Sequence, residues 1–189
     1  MTTATWSTFF AVLALLSVAA SAGIIVVCLA ARSAPAGSTV AQLRSDIASM
    51  GLWAGWLVAA TTTAGSLYYS LGAGFVPCEL CWYQRIGVYP LTIVLFVAAW
   101  RRDAQVWRYV VPVSVVGAVI AAYHAQLQAF PKQTTFCSLN NPCTTRYVWE
   151  FGFVSMPLMS LAAFCAIITL TLATATSRNN DERESELPT

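Results

Sequence analysis

Charged residues are scarce in this sequence. Only 10% of its 189 residues are Asp, Glu, Lys or Arg, whereas 58% are hydrophobic. An average soluble domain is about one quarter charged, so this chain has too little polar surface to cover a water-soluble globule. The formal charge is only +2, and no basic run with interleaved aromatic residues occurs, so we expect no nucleic-acid partner. Lipid is the expected solvent.

Five apolar stretches are each long enough to cross a bilayer, which takes about 20 helical residues. They run approximately over residues 9–31, 50–72, 82–100, 109–127 and 151–173. Because backbone groups in lipid must satisfy their own hydrogen bonds, these stretches predict helices rather than open strands. The predicted fold class is therefore all-α, an integral membrane bundle of helices.

The first stretch could alternatively be a signal peptide, since Ala20-Ser21-Ala22 resembles a small-residue cleavage site. Two features favour a retained transmembrane helix instead. No Lys or Arg precedes the apolar run, and the run continues well beyond Ala22.

Basic residues are divided unequally between the two predicted sides of the membrane. The positive-inside rule places the richer side in the cytoplasm, which predicts an N-terminus outside and a C-terminus inside. The cytoplasmic side would hold Arg32, Arg44, Arg101, Arg102, Arg108, Arg178 and Arg183, and the outer side Lys132 and Arg146, with Arg85 just inside a helix. The polar, acidic stretch after Arg178 predicts a disordered tail.

The six cysteines fall into two groups. Cys28 and Cys165 lie deep inside apolar runs and are interpreted as small apolar fillers. The other four form two pairs beside turn residues, and both pairs fall on the predicted outer, oxidising side. These pairs are Cys78 with Cys81, and Cys137 with Cys143.

The first pair has the features of a catalytic dithiol. Pro77 favours the first turn of a helix, so Cys78 and Cys81 should share a face at a helix N-terminus, where the helix dipole lowers a thiol pKa. Arg85 follows one turn later and could stabilise a thiolate or donate hydrogen bonds to a quinone carbonyl; it could also merely anchor the helix end at the headgroups. Zinc would need further ligands close by, and we expect no metal.

The second pair encloses five residues that include the turn formers Asn140, Asn141 and Pro142. Alone, this pair would indicate a disulfide that staples a loop. Two pairs on one side of a small membrane protein instead suggest a relay of disulfide exchange. His124, the only histidine, lies near the outer end of the fourth span, where it could contact a quinone, supply a proton or serve as a structural hydrogen-bonding residue.

The motif that surrounds the first pair resembles a known family. Pro77-Cys78-Glu79-Leu80-Cys81-Trp82-Tyr83-Gln84-Arg85, followed by Tyr89-Pro90, is similar to the signature of the DsbB/BdbC disulfide-bond formation proteins. The BdbC-like branch is further indicated by Tyr123-His124, Leu127-Gln128, the Cys137/Cys143 pair, Phe151-Gly152-Phe153 and Met156-Pro157.

This resemblance implies a DsbB-like bundle of four transmembrane helices in a bacterial cytoplasmic membrane. Residues 50–174 would form that domain. Residues 1–49 would add an extra N-terminal transmembrane helix and a cytoplasmic connector, and residues 175–189 a disordered cytoplasmic tail.

The resemblance also implies a function, which is to reoxidise a DsbA-like thioredoxin-fold protein and pass the electrons to menaquinone or ubiquinone. The partner dithiol would attack the Cys137–Cys143 disulfide at Cys137, and Cys143 would then exchange with Cys78. Cys81 would become the thiolate that faces the quinone, beside Arg85.

Three alternatives remain open at this stage. A vitamin K epoxide reductase-like protein also combines a helical bundle, two cysteine pairs and a quinone, although its loop cysteines precede the C-x-x-C motif. A non-enzymatic membrane protein could carry both pairs as structural disulfides. Electrons could also flow in the reverse direction and supply reductant to proteins outside the membrane. Redox potentials, and not sequence, set the direction of flow.

Overall fold

The computed structural model describes residues 3–35, 37–132, 137 and 142–185, with side chains up to residue 177. Within these residues lie five long helices, namely α1 (Thr3–Ala30), α2 (Thr39–Leu67), α3 (Glu79–Arg101), α4 (Trp107–Ala129) and α5 (Met156–Ser185). A π-helical turn, Tyr68–Gly72, extends α2, and a short 3-10 turn, Ala104–Val106, leads into α4. All five are long and apolar enough to cross a membrane. The prediction of an all-α, multi-pass membrane protein is confirmed.

The second helix starts earlier than the apolar stretch predicted. Ser38 caps it by accepting a hydrogen bond from the backbone N–H of Ala41 (3.3 Å), so the helix begins at Thr39 rather than near residue 50. Together with the π-helical turn it contains 34 residues, about 50 Å of helix against a hydrocarbon core of about 30 Å. The first turns, which carry Arg44 and Asp46, therefore extend beyond that core.

The fifth helix starts later than predicted, because a small hairpin precedes it. Strand β1 (Trp149–Glu150) pairs antiparallel with strand β2 (Val154–Ser155). Phe151 (φ 52°) and Gly152 (φ 81°) turn the chain between them. Positive φ angles are incompatible with a right-handed helix, so the predicted start at residue 151 was wrong and α5 begins at Met156.

Helices α2, α3, α4 and α5 form a ring in which each packs on the next and α5 packs back on α2. Leu95, Val110 and Ile167 are fully buried at its centre, and Phe164 is nearly so. The ring of Phe164 lies against Gly117, where a Cβ atom would approach it to 2.4 Å. The fourth and fifth helices can approach this closely only because Gly117 has no side chain.

Helix α1 lies outside this ring, mainly along α5 and also against α2. Gly65 allows a close approach, since a Cβ atom there would lie 3.1 Å from the ring of Phe10. Ala11 is fully buried, whereas Leu16 and Val26 are 60% and 64% exposed. Exposed large apolar residues on a transmembrane helix face lipid, so α1 presents one narrow face to the bundle.

The backbone of α5 is helical as far as Ser185, whereas the sequence predicted a disordered tail from residue 175. No proline or glycine occurs between Pro157 and Pro188, and Arg and Glu are good helix formers. Nothing in the sequence therefore ends the helix at residue 174. Residues 186–189 lie outside the described part of the chain. The division of the sequence at residues 49/50 and 174/175 stays a prediction.

Candidate active site

The C-x-x-C pair occupies the N-terminus of α3. A turn with Gly74 at φ 71° precedes it, and the sulfur of Cys78 caps the helix by accepting a hydrogen bond from the backbone N–H of Cys81 (3.4 Å). The two sulfur atoms lie 2.9 Å apart. Cys78 and Cys81 are therefore poised to form a disulfide after a small side-chain movement.

The second pair lies beside the first. Cys137 and Cys143 form a disulfide with Cα atoms 5.9 Å apart. Both belong to one apolar cluster with Cys78 and Cys81, which also contains Leu80, Leu127, Ile120 and Tyr123 and which we call the cysteine cluster. Cys143 and Cys78 are 1% and 5% exposed. The turn formers Asn140 and Asn141 lie outside the described residues.

His124, on α4, connects the two pairs. Its Nε2 atom lies 3.0 Å from the carbonyl oxygen of Cys143 and 3.7 Å from the sulfur of Cys78. A carbonyl oxygen can only accept, so Nε2 carries the hydrogen. The other ring atom, Nδ1, then accepts from the amide of Gln84 (3.1 Å). These bonds fix the orientation of an imidazole ring that is 2% exposed.

The surroundings of Cys78 favour its thiolate. A hydrogen bond from the Cys81 thiol is the main influence that holds the pKa of Cys78 well below the usual range of a thiol. Burial acts in the opposite direction, and His124 and the backbone N–H of Cys81 lower the pKa further. A thiolate is the attacking form in disulfide exchange and also the better leaving group.

Arg85 points into the bundle instead of toward the membrane surface. Its Nε donates to the hydroxyl of Ser66 (2.9 Å) and its Nη2 to the carbonyl of Ser66 (3.1 Å), and Nη2 also bonds the hydroxyl of Ser70. Tyr89 contacts the same Ser66 hydroxyl (3.2 Å), and the guanidinium lies over the ring of Trp82. Three neighbours, Ser66, Ser70 and Trp82, therefore hold the guanidinium in one position, and the role of Arg85 stays a prediction.

A cavity of about 280 Å³ opens beside Cys81 and Arg85. It is lined by α1, α2, α3 and α5 and, through His124, by α4, and we call it the lateral cavity. The polar residues nearest the cysteine pairs are concentrated at one end, and the other end is mainly apolar. The polar end has Cys81, Gln84, Arg85, His124, Ser66 and Tyr69, and the mainly apolar end includes Leu13, Ala14, Leu57, Val58, Val88 and Ala163. Ser17, Thr61, Thr62 and Ser160 also line the cavity.

The structure thus brings together all six residues that the sequence singled out. Cys78, Cys137 and Cys143 face one another in the cysteine cluster, and Arg85 lines the lateral cavity. Cys81 belongs to both places, and His124 lines the cavity and contacts Cys78 and Cys143 of the cluster. The roles of these residues in a reaction stay predictions.

Several residues of the site were missed. Ser66 and Ser70 hold Arg85, and Gln84 orients His124, but no role was assigned to any of them from the sequence. The i, i+4 spacing of the two serines would place them on one face of a continuous helix, which was the available signal. Gln84 lies within the C-x-x-C motif region, where nothing about it singles it out.

The loop that carries Cys137 and Cys143 is anchored by a contact between Arg146 and Gln128, which the sequence did not predict. Arg146 donates to the backbone carbonyl of Gln128 through Nε (2.8 Å) and Nη2. The amide of Gln128 donates to the carbonyl of Thr145 (2.9 Å), and the Arg146 guanidinium stacks 4.1 Å from the centre of the Trp149 ring. These contacts fix the chain after Cys143 to the end of α4.

A metal could find three ligands here. The sulfurs of Cys78 and Cys81 and a ring nitrogen of His124 lie within 4.8 Å of one another, which is the single such group in the described residues. A closed zinc site normally has four protein ligands, and both thiols are needed for disulfide exchange. The expectation of no metal stays a prediction.

Comparison with known proteins decides the family. Residues 48–174 match the family model described as "Disulfide bond formation protein DsbB". The chain belongs to the DsbB family. The resemblance deduced from the cysteine motif is thereby confirmed, and with it the assignment of this membrane protein to disulfide bond formation.

Curated relatives of this DsbB-family chain carry matching names. It is 42% identical over 119 residues to disulfide bond formation protein C of Bacillus subtilis, an overlap of 62% of this chain and 86% of the relative. It is 39% identical over 127 residues to a probable disulfide formation protein of Chlamydia caviae, which covers 67% and 93%. No solved structure matches the chain. Since the family match begins at residue 48, α1 lies outside it.

Proposed function

We propose that this chain reoxidises a DsbA-like thioredoxin-fold protein outside the bacterial cytoplasmic membrane and passes the electrons to a membrane quinone. The proposal rests on one observation. His124 and the C-x-x-C pair lie between the Cys137–Cys143 disulfide and the lateral cavity that contains Arg85. This is the arrangement that a two-step relay requires.

In the first step, a thiolate of the partner attacks the sulfur of Cys137 and the Cys137–Cys143 bond breaks. Cys143 leaves as a thiolate. The second thiol of the partner then attacks the mixed disulfide, so the partner is oxidised by two electrons and Cys137 and Cys143 become a dithiol. Cys143 is nearly fully buried, so an external thiol reaches Cys137 more easily.

In the second step, the Cys143 thiolate attacks Cys78 in a Cys78–Cys81 disulfide, and Cys81 leaves as a thiolate. Cys137 then attacks Cys143, which restores the loop disulfide and releases Cys78. The Nε2–H group of His124 lies beside both Cys78 and the backbone of Cys143. It therefore stabilises the negative charge of Cys78 as this sulfur departs.

The lateral cavity fits the electron acceptor. Its polar end offers the Arg85 guanidinium and the Gln84 amide near Cys81, which suits quinone carbonyls, and its apolar end suits an isoprenoid side chain. A bound quinone takes up two electrons and two protons as quinol. Arg85 would orient the ring against Cys81, while Cys78 and Cys81 give up the electrons and close their disulfide.

The proposed orientation has the N-terminus outside, the C-terminus in the cytoplasm and the cysteine cluster at the outer face. Arg32, Arg101 and Arg102 lie in or beside connectors at the opposite end of the bundle. Reporter fusions after residues 35 and 189 test this. Cytoplasmic activity at both positions is expected, and external activity at either would contradict it.

The decisive experiment follows quinone absorbance when purified protein in lipid receives a reduced thioredoxin-fold dithiol protein. Wild type is compared with Cys81→Ser and Cys137→Ser, and Cys165→Ser, a thiol outside the cysteine cluster, is the matched control. We expect reduction by wild type and Cys165→Ser alone. Reduction of the partner by added quinol would show that electrons flow in the reverse direction. If no electrons are transferred and both disulfides stay intact, the cysteine pairs have a structural role.

A further inference from the structure

The lateral cavity has a wall that the family match does not include. Four of its lining residues, Phe10, Leu13, Ala14 and Ser17, belong to α1, whereas the match covers residues 48–174. Their spacing of three, four and seven residues places them on one face of the helix. This is the face that α1 turns toward the bundle.

Specific contacts hold this wall in place at the end near the cysteines. The ring of Phe10 lies on Gly65 and 5.8 Å from the ring of Tyr69. The hydroxyl of Tyr69 donates to the buried Ser7 (3.3 Å). One residue further along, the hydroxyl of Thr8 donates to the carboxylate of Glu150 (3.2 Å). The outer end of α1 is therefore fixed to both α2 and the hairpin before α5.

The cavity is elongated parallel to the helices. Val58 lies eight residues before Ser66 on α2, or about 12 Å along the helix axis, and both line the cavity. On α1, Phe10 and Ser17 are about 10 Å apart in the same direction. Phe10 lies beside Tyr69 at the polar end, and Leu13, Ala14 and Ser17 continue toward the apolar end.

We propose that α1 forms the lipid-side wall of the quinone site, where Leu13, Ala14 and Ser17 contact the isoprenoid chain next to the ring. This inference rests on the proposed function, because it takes the lateral cavity as the acceptor site. The elongated shape and the change from polar to apolar lining match a polar ring followed by an apolar chain. The extra helix therefore selects which quinones enter and closes the acceptor site toward lipid on one side.

The contact is tested by photolabelling of the full-length protein in nanodiscs. The probe is a benzoquinone with a diazirine on the first unit of its isoprenoid chain, and labelled residues are located by mass spectrometry with and without excess unlabelled quinone. We expect competed labelling at Leu13, Ala14 or Ser17. Competed labelling of α2, α3 and α5 alone would overturn the role of α1 and leave the proposed function intact. Absence of competed labelling, with no quinone reduction by wild type, would overturn both.

A pair of variants tests the same wall by kinetics. Ala14→Trp places a large side chain in the cavity, whereas Ala19→Trp places the same side chain on an exposed position of α1. We expect Ala14→Trp to raise KM for quinone about tenfold, the cost of overfilling a packed site. Exchange between the partner and Cys137–Cys143, followed by thiol trapping, should be unchanged.

Ala19→Trp is the control variant and should keep the wild-type KM for quinone. A wild-type KM in Ala14→Trp would overturn the inference, as would equal increases in both variants. Normal thiol exchange in each variant shows that the bundle is folded, so a change in KM reports on the cavity.

Discussion

A hydrogen bond of 3.0 Å joins the imidazole Nε2–H of His124 to the peptide carbonyl of Cys143. The side chain that stabilises Cys78 is thus tied to the backbone of the loop that brings the second disulfide. The imidazole therefore contacts both cysteine pairs, the first through the sulfur of Cys78 and the second through the backbone of Cys143.

Replacement of His124 should change the pH dependence of Cys78. In His124→Leu the pKa of Cys78 rises, because a hydrogen bond and a favourable electrostatic contact to the thiolate are lost. The Cys78 pKa is about 4 in wild type, so the thiolate fraction changes most near pH 5, and alkylation of Cys78 in reduced protein should fall at pH 5 relative to pH 9. His124→Gln retains an N–H donor, so its pH profile should lie between those of wild type and His124→Leu. Identical pH profiles for wild type and His124→Leu would contradict this role.

Replacement of Gln84 should destabilise the fold. In Gln84→Leu, the Nδ1 atom of the buried His124 loses its donor, which costs about 1–3 kcal/mol of the free energy of unfolding. Thermal unfolding in detergent measures the change. Gln105→Leu, at an exposed position in the connector before α4, is the matched control and should shift the free energy by less than about 0.5 kcal/mol. Equal melting temperatures for the two variants would refute the prediction.

Loss of the serines that hold Arg85 should slow electron transfer to quinone. In Ser66→Ala/Ser70→Ala the guanidinium loses both hydroxyl partners and keeps only the Ser66 carbonyl and the Trp82 ring, so its orientation toward the cavity is less well fixed. We expect kcat/KM for quinone to fall at least about tenfold, while thiol exchange with the partner continues. Ser49→Ala, an exposed serine on the same helix, should behave as wild type. A normal quinone rate in the double variant would show that Arg85 needs no such support.

The close contact between α4 and α5 should not tolerate a larger residue. Gly117→Ala places a Cβ atom 2.4 Å from the ring of Phe164, and the resulting overpacking should cost about 1–3 kcal/mol of stability. Gly23→Ala is a matched control, because that glycine is also helical but a Cβ atom added there would meet nothing within 4 Å. It should be neutral or slightly stabilising. An unchanged melting temperature for Gly117→Ala would mean that Phe164 moves freely.

The sequence predicted structure best where one local property, such as apolar length or a proline, determines the element. Apolar length revealed the five transmembrane helices, and Pro77 before Cys78 indicated the start of the third. The helix boundaries at Thr39 and Met156 were missed because hydropathy reports partition into lipid and not backbone conformation. The positive φ at Phe151 follows from the hairpin, which no apolar pattern encodes.

The site was predictable in its reactive residues but not in their supports. Cys81, Arg85 and His124 were recognisable because thiols and charges are rare in apolar helices. Ser66 and Ser70 gave little signal, since a serine in a transmembrane helix usually satisfies itself by bonding to its own helix backbone. The packing of α1 on α5 was also hidden, because in lipid an apolar surface does not indicate which helix it contacts.

That packing has a consequence for biosynthesis. Of the five helices, α1 is synthesised before the others, yet its main neighbour in the bundle, α5, is synthesised after them. The contact between α1 and α5 therefore cannot form until α2, α3 and α4 have been made. Because α1 and α5 both line the lateral cavity, the cavity is incomplete until α5 has joined the bundle.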